Sequence, residues 1–314
     1  MQTRATLGRS PLQLQRVAFG CEQLGGYGWG EVDLAEISAA IEAALESGPV
    51  LFDTADCYGK GLSESRLGEA LAPAGQHALV ATKFGVRFAP DGTVFYDNSR
   101  AWAEIALAES LRRMHRERVD LYQVHYADTR TPLEATFEWL EQQRSAGRIR
   151  WYGVSNIAVT DEQARAFPGL ASQSLEFSLA NRRHETAALA AHGRGLSFIA
   201  YGVLAQGMLS GRYTDSTALA AGDRRQNPRY ANFHGEKLQH NLALVEVLRT
   251  HAAQIGVTPA QLAIAWILTR LPHALALVGI KSRRQFSDAH AAQSLVVPLE
   301  TQAALDAASV VAAA

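Results

Sequence analysis

The stretch Val119-Asp120-Leu121-Tyr122-Gln123-Val124-His125, together with the segment up to Gly147, decides the fold. It is a short run rich in β-formers, the length of a buried strand, and it stops on a polar residue. Pro132 then stands where a helix starts, residues 133–143 repeat apolar positions at helical spacing, and Gly147 stands where that helix stops. The local unit is therefore one strand followed by one helix.

The same unit recurs in both directions. Toward the N-terminus lie Val17-Ala18-Phe19-Gly20, Val50-Leu51-Phe52-Asp53 and Ala78-Leu79-Val80-Ala81-Thr82-Lys83. Toward the C-terminus lie Ile149-Arg150-Trp151-Tyr152-Gly153-Val154, Ser172-Gln173-Ser174-Leu175, Leu196-Ser197-Phe198-Ile199-Ala200 and Ala274-Leu275-Ala276-Leu277-Val278. The clearest further helical stretches are 34–45, followed by Gly48, 101–114, and 260–271, preceded by Pro259. Strict alternation implies parallel strands joined by right-handed crossovers, and eight repeats favour a closed (β/α)8 TIM barrel over an open doubly wound sheet. The expected fold class is thus α/β, with one domain over residues 1–314, an N-terminal extension, and a long loop after strand seven over 211–233. Long excursions on this scaffold serve binding or cover a site.

A chain of 314 residues suits one such barrel. Lys and Arg number 30 against 31 Asp and Glu, a net charge of −1, so nothing calls for a nucleic acid or a membrane surface. The N-terminus leads into Leu7-Gly8-Arg9-Ser10-Pro11 rather than an apolar leader, and no segment approaches roughly 18 uninterrupted apolar residues. Cys21 and Cys57 make neither a CxxC motif nor a disulfide framework, and the histidines show no spacing for a metal site. The expectation is a cytoplasmic monomer or weak homo-oligomer whose partner is a small molecule.

In barrels the chemistry collects where strands end. Asp53, Lys83 and His125 each close a strand in this reading, which sets an acid beside an amine at the barrel mouth. Their pairing fixes a positive charge, expected to lower the pKa of a nearby phenol. Tyr58 is that phenol, five residues beyond Asp53, and His125 offers a ring N–H to a carbonyl oxygen. Four such groups polarise a C=O and hand it a proton as hydride arrives. Gly25-Gly26-Tyr27-Gly28-Trp29-Gly30 opens no Rossmann helix, so a nucleotide must be held another way. Each residue alone has a plainer role as an ion pair, a packing residue or a satisfied histidine; the coincidence at consecutive strand ends is what counts. A Schiff-base barrel aldolase using Lys83 is the rival enzyme reading, and Asp53 beside the amine argues against it.

The chain resembles the aldo-keto reductase superfamily. The blocks that carry the likeness occur in family order: Leu7-Gly8-Arg9-Ser10, residues 52–59 from Phe52 to Gly59, Glu64-Ser65-Arg66-Leu67-Gly68-Glu69-Ala70-Leu71, Ala81-Thr82-Lys83-Phe84-Gly85, Ser110-Leu111-Arg112-Arg113, residues 120–125, Gly147-Arg148-Ile149-Arg150 and Gly153-Val154-Ser155-Asn156. The resemblance implies NADP(H)-dependent reduction of aldehydes or ketones, with Tyr58 as general acid and Asp53, Lys83 and His125 completing a tetrad. It implies that Ser155 and Asn156 hold the nicotinamide carboxamide and that Phe177 stacks on its ring. Tyr201, Gly202, Leu204, Gln206, Gly207, Leu209 and Gly211 fall in a loop similar to the one covering the pyrophosphate. Gly279, Lys281, Ser282, Arg284, Gln285 and Asp288 fall in a segment similar to that gripping the adenosine 2′-phosphate, so NADP is favoured over NAD. Gln173 is one place off the family's usual glutamine, and alternation points it to the other face. Tyr27, Trp29, Phe88 and Tyr126 are the expected substrate contacts, with Arg87 a further candidate for an anionic group. Some relatives are channel-associated subunits, a second reading that would need an assembly surface.

Overall fold

The computed structural model describes residues 3–29, 32–214, 219–220 and 222–310. Arg4–Thr6 (β1) and Gln13–Gln15 (β2) form an antiparallel hairpin, followed by Val17–Gly20 (β3), Leu34–Glu46 (α1), Leu51–Asp53 (β4), Leu62–Leu71 (α2) and Leu79–Phe84 (β5). A second hairpin, Val86–Phe88 (β6) with Val94–Tyr96 (β7), precedes Arg100–Arg113 (α3), Val119–Val124 (β8), Leu133–Ser145 (α4), Ile149–Ser155 (β9) and Asp161–Ala166 (α5). Then come Leu170–Glu176 (β10), Glu185–Ala191 (α6), Ser197–Tyr201 (β11), Gly235–Gln254 (α7), Pro259–Arg270 (α8), Leu275–Gly279 (β12), Arg283–Ala292 (α9) and Leu299–Val310 (α10).

Eight parallel strands close into a barrel in the order β3-β4-β5-β8-β9-β10-β11-β12, with β12 returning to β3. The eight runs read from the sequence are these strands, displaced by a residue or two at their ends. Local chemistry sets the helices. Thr160 with Gln163, and Thr258 with Gln261, form reciprocal capping boxes that satisfy orphan N–H groups of α5 and α8, and Pro259 occupies the first turn of α8.

Side chains along the strands split between two layers. Ala18, Leu51, Ala81, Leu121, Ile199 and Leu275 fill the barrel interior, and the outer set, such as Phe19, Phe52, Val80 and Val154, packs against the helices. The β1–β2 hairpin closes the amino-terminal end of the barrel: Leu7 and Leu14 are fully buried among the interior residues. Burial of each contributes about 1.5–3 kcal/mol. Gly8 has φ 53°, and a Cβ there would stand 2.4 Å from the Ala171 carbonyl oxygen, so the hairpin backbone lies directly on β10. With the floor sealed, the carboxyl ends of the strands are the open end.

The expected loop after strand seven is present in part as structure. Its described residues include 3-10 turns at Arg224–Gln226 and Ala231–Phe233; residues 215–218 and 221 lie outside the described set. Among the described residues, no single helix is long and apolar enough to cross a membrane.

Candidate active site

Period-2 alternation delivers the polar groups to the mouth. Leu51, Ala81 and Leu121 face the interior, so Asp53, Lys83 and Gln123, two residues on, face the same cavity one layer higher. Asp53 ends β4 as expected, but Lys83 is followed by Phe84 within β5, and His125 lies one residue beyond β8. Tilted barrel strands end at staggered levels, so cross-strand register, which pairs Lys83 with Gln123, sets height better than strand ends do.

Lys83 Nζ donates to Asp53 Oδ1 at 2.5 Å and to the Thr54 carbonyl at 2.8 Å, with both charged side chains almost wholly buried. Gln123 Nε2 donates to Asp53 Oδ2 at 3.2 Å. Burial pushes the Asp53 carboxyl above its ordinary range, while the Lys83 ammonium and the Gln123 amide pull it back. Gln123 is a site residue that the sequence reading does not single out, although its alternation with Leu121 points it inward.

Tyr58 reaches this pair from the loop after β4. The loop turns back through the Tyr58 N–H, which donates to the Ala55 carbonyl at 3.2 Å. Gly59 has φ 60°, and a Cβ there would meet the Gly25 carbonyl oxygen at 2.3 Å, so the loops after β3 and β4 lock together beneath the phenol. Lys83 Nζ stands 5.1 Å from the Tyr58 ring centroid, and the Tyr58 and His125 rings meet edge to face at 5.9 Å. The expected depression of the phenol pKa is not found. Burial pushes the Tyr58 phenol well above its ordinary value, and the charges of Glu22 and Asp53 add to the rise. Tyr58 is therefore held as a neutral O–H. His125 is pushed well below its ordinary value by burial and by Lys83, so its imidazole is neutral.

The carboxamide candidates sit beside this group. Ser155 is buried at the end of β9, and Asn156, at φ 60°, donates through Nδ2 to the His125 carbonyl and to Ser155 Oγ, both at 3.1 Å. Tyr201 Oη donates to Asn156 Oδ1 at 2.5 Å, which brings the end of β11 to the same spot. Phe177 requires a correction. It is fully buried, stacked on Trp266 at 5.7 Å and edge-on to Phe198, and has no free face for a nicotinamide. Gln173 spends its Oε1 on the Val159 N–H, in keeping with its facing away from the site.

The loop over residues 201–211 runs through positive φ at Gly202, Ala205, Gln206, Gly207 and Gly211, and it is coiled tightly on itself: the Ala205, Gly207 and Leu209 N–H groups donate to the Gly202 and Leu204 carbonyls. The Leu209 side chain is buried in the core, which leaves only its backbone for a ligand, and Leu204 is half-buried. Beyond this loop, the described residues 222–233 form a strap tied down through Arg224, Arg225 and Asn232. Arg225 Nη1 donates to the Gln206 carbonyl at 3.1 Å, Asn232 Nδ2 to Gln206 Oε1 at 2.6 Å, and the Arg224 N–H to the Gly28 carbonyl at 3.1 Å. Arg224 also pairs with Glu22 at 2.8 Å and lies 4.5 Å above the Trp29 ring.

Lys281 Nζ donates to the Trp29 carbonyl. Its pKa is lowered by burial and by the neighbouring charges of Arg225 and Arg212, only partly offset by Asp223. Ser282 Oγ caps α9 by accepting from the Gln285 N–H, and Gln285 Oε1 accepts from the Lys281 N–H at 2.9 Å, so both side chains brace this turn through their acceptor oxygens. Gly279 ends β12, Arg284 is exposed, and Asp288 is half-buried on α9.

Of the substrate candidates, Tyr126 stacks on His125 at 5.0 Å and on Tyr96 at 4.8 Å, so it adjoins the site. Trp29 lies under the strap, Phe88 stands on the β6–β7 hairpin with Lys60 above its ring, and Tyr27, 73% exposed, stands in solvent. Arg87 pairs with Asp97 at 2.5 Å and stacks on Trp102, which leaves it little freedom for an anion. Among the described residues no cluster of histidine, cysteine and carboxylate groups suits a metal.

A parallel barrel that gathers its ionisable groups at the carboxyl ends of its strands is the layout of a barrel enzyme. Known proteins narrow that class. The sequence model of the Aldo/keto reductase family matches residues 16–310. The aldo-keto reductase YhdN of Bacillus subtilis is 30% identical over 279 residues, 87% of this chain and 83% of its own. The NADP(+)-designated aldo-keto reductase yakc of Schizosaccharomyces pombe is 31% identical over 274 residues, 84% of this chain and 79% of its own. The solved structure of a glycerol dehydrogenase from Gluconobacter oxydans superposes with a TM-score of 0.86 at 30% identity, covering 98% of this chain and 94% of that one. This chain belongs to the aldo/keto reductase family, oxidoreductases that act on carbonyl compounds.

Proposed function

We propose that this protein reduces aldehyde or ketone carbonyls to alcohols with NADP(H), and that Tyr58 is the proton donor. The observation that carries the reading is the Lys83–Asp53 pair buried beneath the Tyr58 ring, with a neutral His125 at its edge. The cofactor fits the groups present. Lys281, Arg225 and Arg212 concentrate positive charge that suits the extra dianion of a 2′-phosphate, and the Ser155 hydroxyl and the second lone pair of Asn156 Oδ1 suit a carboxamide. The NADP(+) designation of the fission-yeast relative points the same way. When bound, the reduced nicotinamide supplies the hydride.

The chain's own part is to orient and protonate. Tyr58, held as O–H, gives its proton to the carbonyl oxygen as negative charge develops there. Lys83, 5.1 Å from the ring centroid, stabilises the phenolate left behind, and Asp53 and the Thr54 carbonyl fix where that positive charge sits. His125 donates a ring N–H to the same oxygen. The Schiff-base alternative is disfavoured because two oxygens already close on Lys83 Nζ, an arrangement suited to an ammonium donor.

The test is NADPH oxidation against a panel of aromatic aldehydes, dicarbonyls and quinones, with Tyr58→Phe run alongside. Turnover that falls by about 10²–10⁴ in the variant while NADPH binding persists supports the reading. Absence of NADPH binding by the unaltered protein overturns it.

A further inference from the structure

Cys57 directly precedes the phenol, and its Sγ lies 3.6 Å from Nδ1 of His125, the hydrogen-bonding neighbour of that ring nitrogen among the described residues. The geometry points to Cys57 as a positioning residue: its S–H donates to His125 Nδ1 and fixes the tautomer in which Nε2 carries the proton toward the substrate oxygen. This inference rests on the carbonyl-reducing reading above for its use, but not for its detection.

A neutral imidazole has one N–H and one lone pair, so whatever occupies one nitrogen decides what the other can do. His125 is neutral, being buried and beside the Lys83 ammonium. Burial, and then the charge of Asp56, push the Cys57 thiol upward, so sulfur keeps its proton. Two pairings are then open, S–H to nitrogen or Nδ1–H to sulfur. Imidazole nitrogen is a strong acceptor and thiol sulfur a weak one, so the first prevails. It leaves Nε2 as a donor, the form that stabilises a developing oxyanion; the second would turn a lone pair toward the carbonyl oxygen and repel it.

The remaining freedoms of the ring are closed by neighbours. Tyr126 stacks on one face at 5.0 Å, the Tyr58 ring meets it edge-on at 5.9 Å, and Asn156 holds the His125 carbonyl at 3.1 Å. What stacking cannot choose is which nitrogen bears hydrogen, because the ring shape is the same in both tautomers. Among the described residues, the chemically directional contact on Nδ1 is the thiol. A cysteine acting only as a small apolar filler would leave tautomer and imidazole titration unchanged on truncation.

Long-range ¹H–¹⁵N correlation spectra of the full-length protein with ¹⁵N-labelled histidine read the tautomer directly, with His125 assigned by the signal lost in His125→Asn. The expected result is Nε2–H in the unaltered protein. In Cys57→Ala, an Nδ1–H population appears and the imidazole pKa rises, because a hydrogen bond to the neutral form is gone. The kcat falls roughly tenfold with little change in KM for NADPH, since a positioned hydrogen-bond donor is lost from the transition state alone. Cys57→Ser, which keeps a hydroxyl donor, recovers part of both signatures. An Nδ1–H tautomer in the unaltered protein overturns the inference, as does a Cys57→Ala variant whose tautomer and titration are unchanged, whatever its kcat. If the tautomer shifts as expected but no carbonyl is turned over, the positioning role stands and the carbonyl-reducing reading fails, so the two are separable.

Discussion

Gln123 Nε2 donates to Asp53 Oδ2 at 3.2 Å, occupying the carboxylate oxygen opposite the one held by Lys83. The acid is therefore gripped from both sides. In Gln123→Leu that oxygen is left buried and unpaired, which costs about 1–3 kcal/mol of stability, measurable by urea unfolding. The Asp53 pKa, already raised by burial, rises further. Since protonation of Asp53 frees Lys83, the acid limb of the pH–rate profile moves to higher pH in the variant; an unmoved limb refutes this coupling.

Lys281 lies against the charges of Arg225 and Arg212, and a bound dianion relieves that repulsion. Lys281→Ala is expected to weaken NADPH binding by roughly 10- to 100-fold, the worth of about 1.5–3 kcal/mol for a charged hydrogen bond. NADH, lacking the phosphate, changes little. Equal losses for both nucleotides would show that Lys281 acts on the strap through the Trp29 carbonyl instead.

Gly59→Ala combines a positive φ of 60° with a Cβ 2.3 Å from the Gly25 carbonyl oxygen. The two mouth loops must separate, so thermal unfolding drops, by an amount corresponding to about 1–3 kcal/mol. Activity falls by more than stability explains, because Tyr58 is the neighbouring residue.

Asp128 organises the turn after β8. Its Oδ1 accepts from the Arg130 and Thr131 N–H groups, and its Oδ2 from the Asn98 N–H and the Thr131 hydroxyl. Burial opposes ionisation, but these four bonds win and hold the carboxyl below its usual range. A depressed folded pKa contributes stability above the unfolded value of about 3.9, lost as pH falls through the folded value. Asp128→Asn should therefore lower stability by about 1–3 kcal/mol at pH about 7, with the gap from the unaltered protein closing toward pH about 2.

The barrel is legible in the sequence because eight apolar runs, each followed by helical spacing, leave few topologies open. The polar residues of the site are legible for a related reason: Asp53, Lys83 and His125 interrupt or follow apolar runs where a buried strand gives no cause for charge. Other features are not. The β1–β2 and β6–β7 hairpins have three-residue strands, too short for periodicity to register. Helix α7 buries Asn241 at the head of a stripe continued by Leu244, Val245, Leu248 and Ala252, and that polar start blurs the pattern. Phe177 reads as available for stacking because a sequence does not say that Trp266 and Phe198, far away in the chain, already cover it. The sign of the Tyr58 shift is hidden for a similar reason, since a nearby ammonium can be read from sequence whereas the degree of burial cannot.

The hairpin that seals the amino-terminal end with Leu7 and Leu14 separates two kinds of evolutionary change. Substitutions at the floor alter how firmly the barrel holds together but touch no reacting group, while the loops at the far rim are free to diversify against new carbonyl compounds. An engineer can thus raise heat tolerance from below and retarget specificity from above, with little risk that one effort undoes the other.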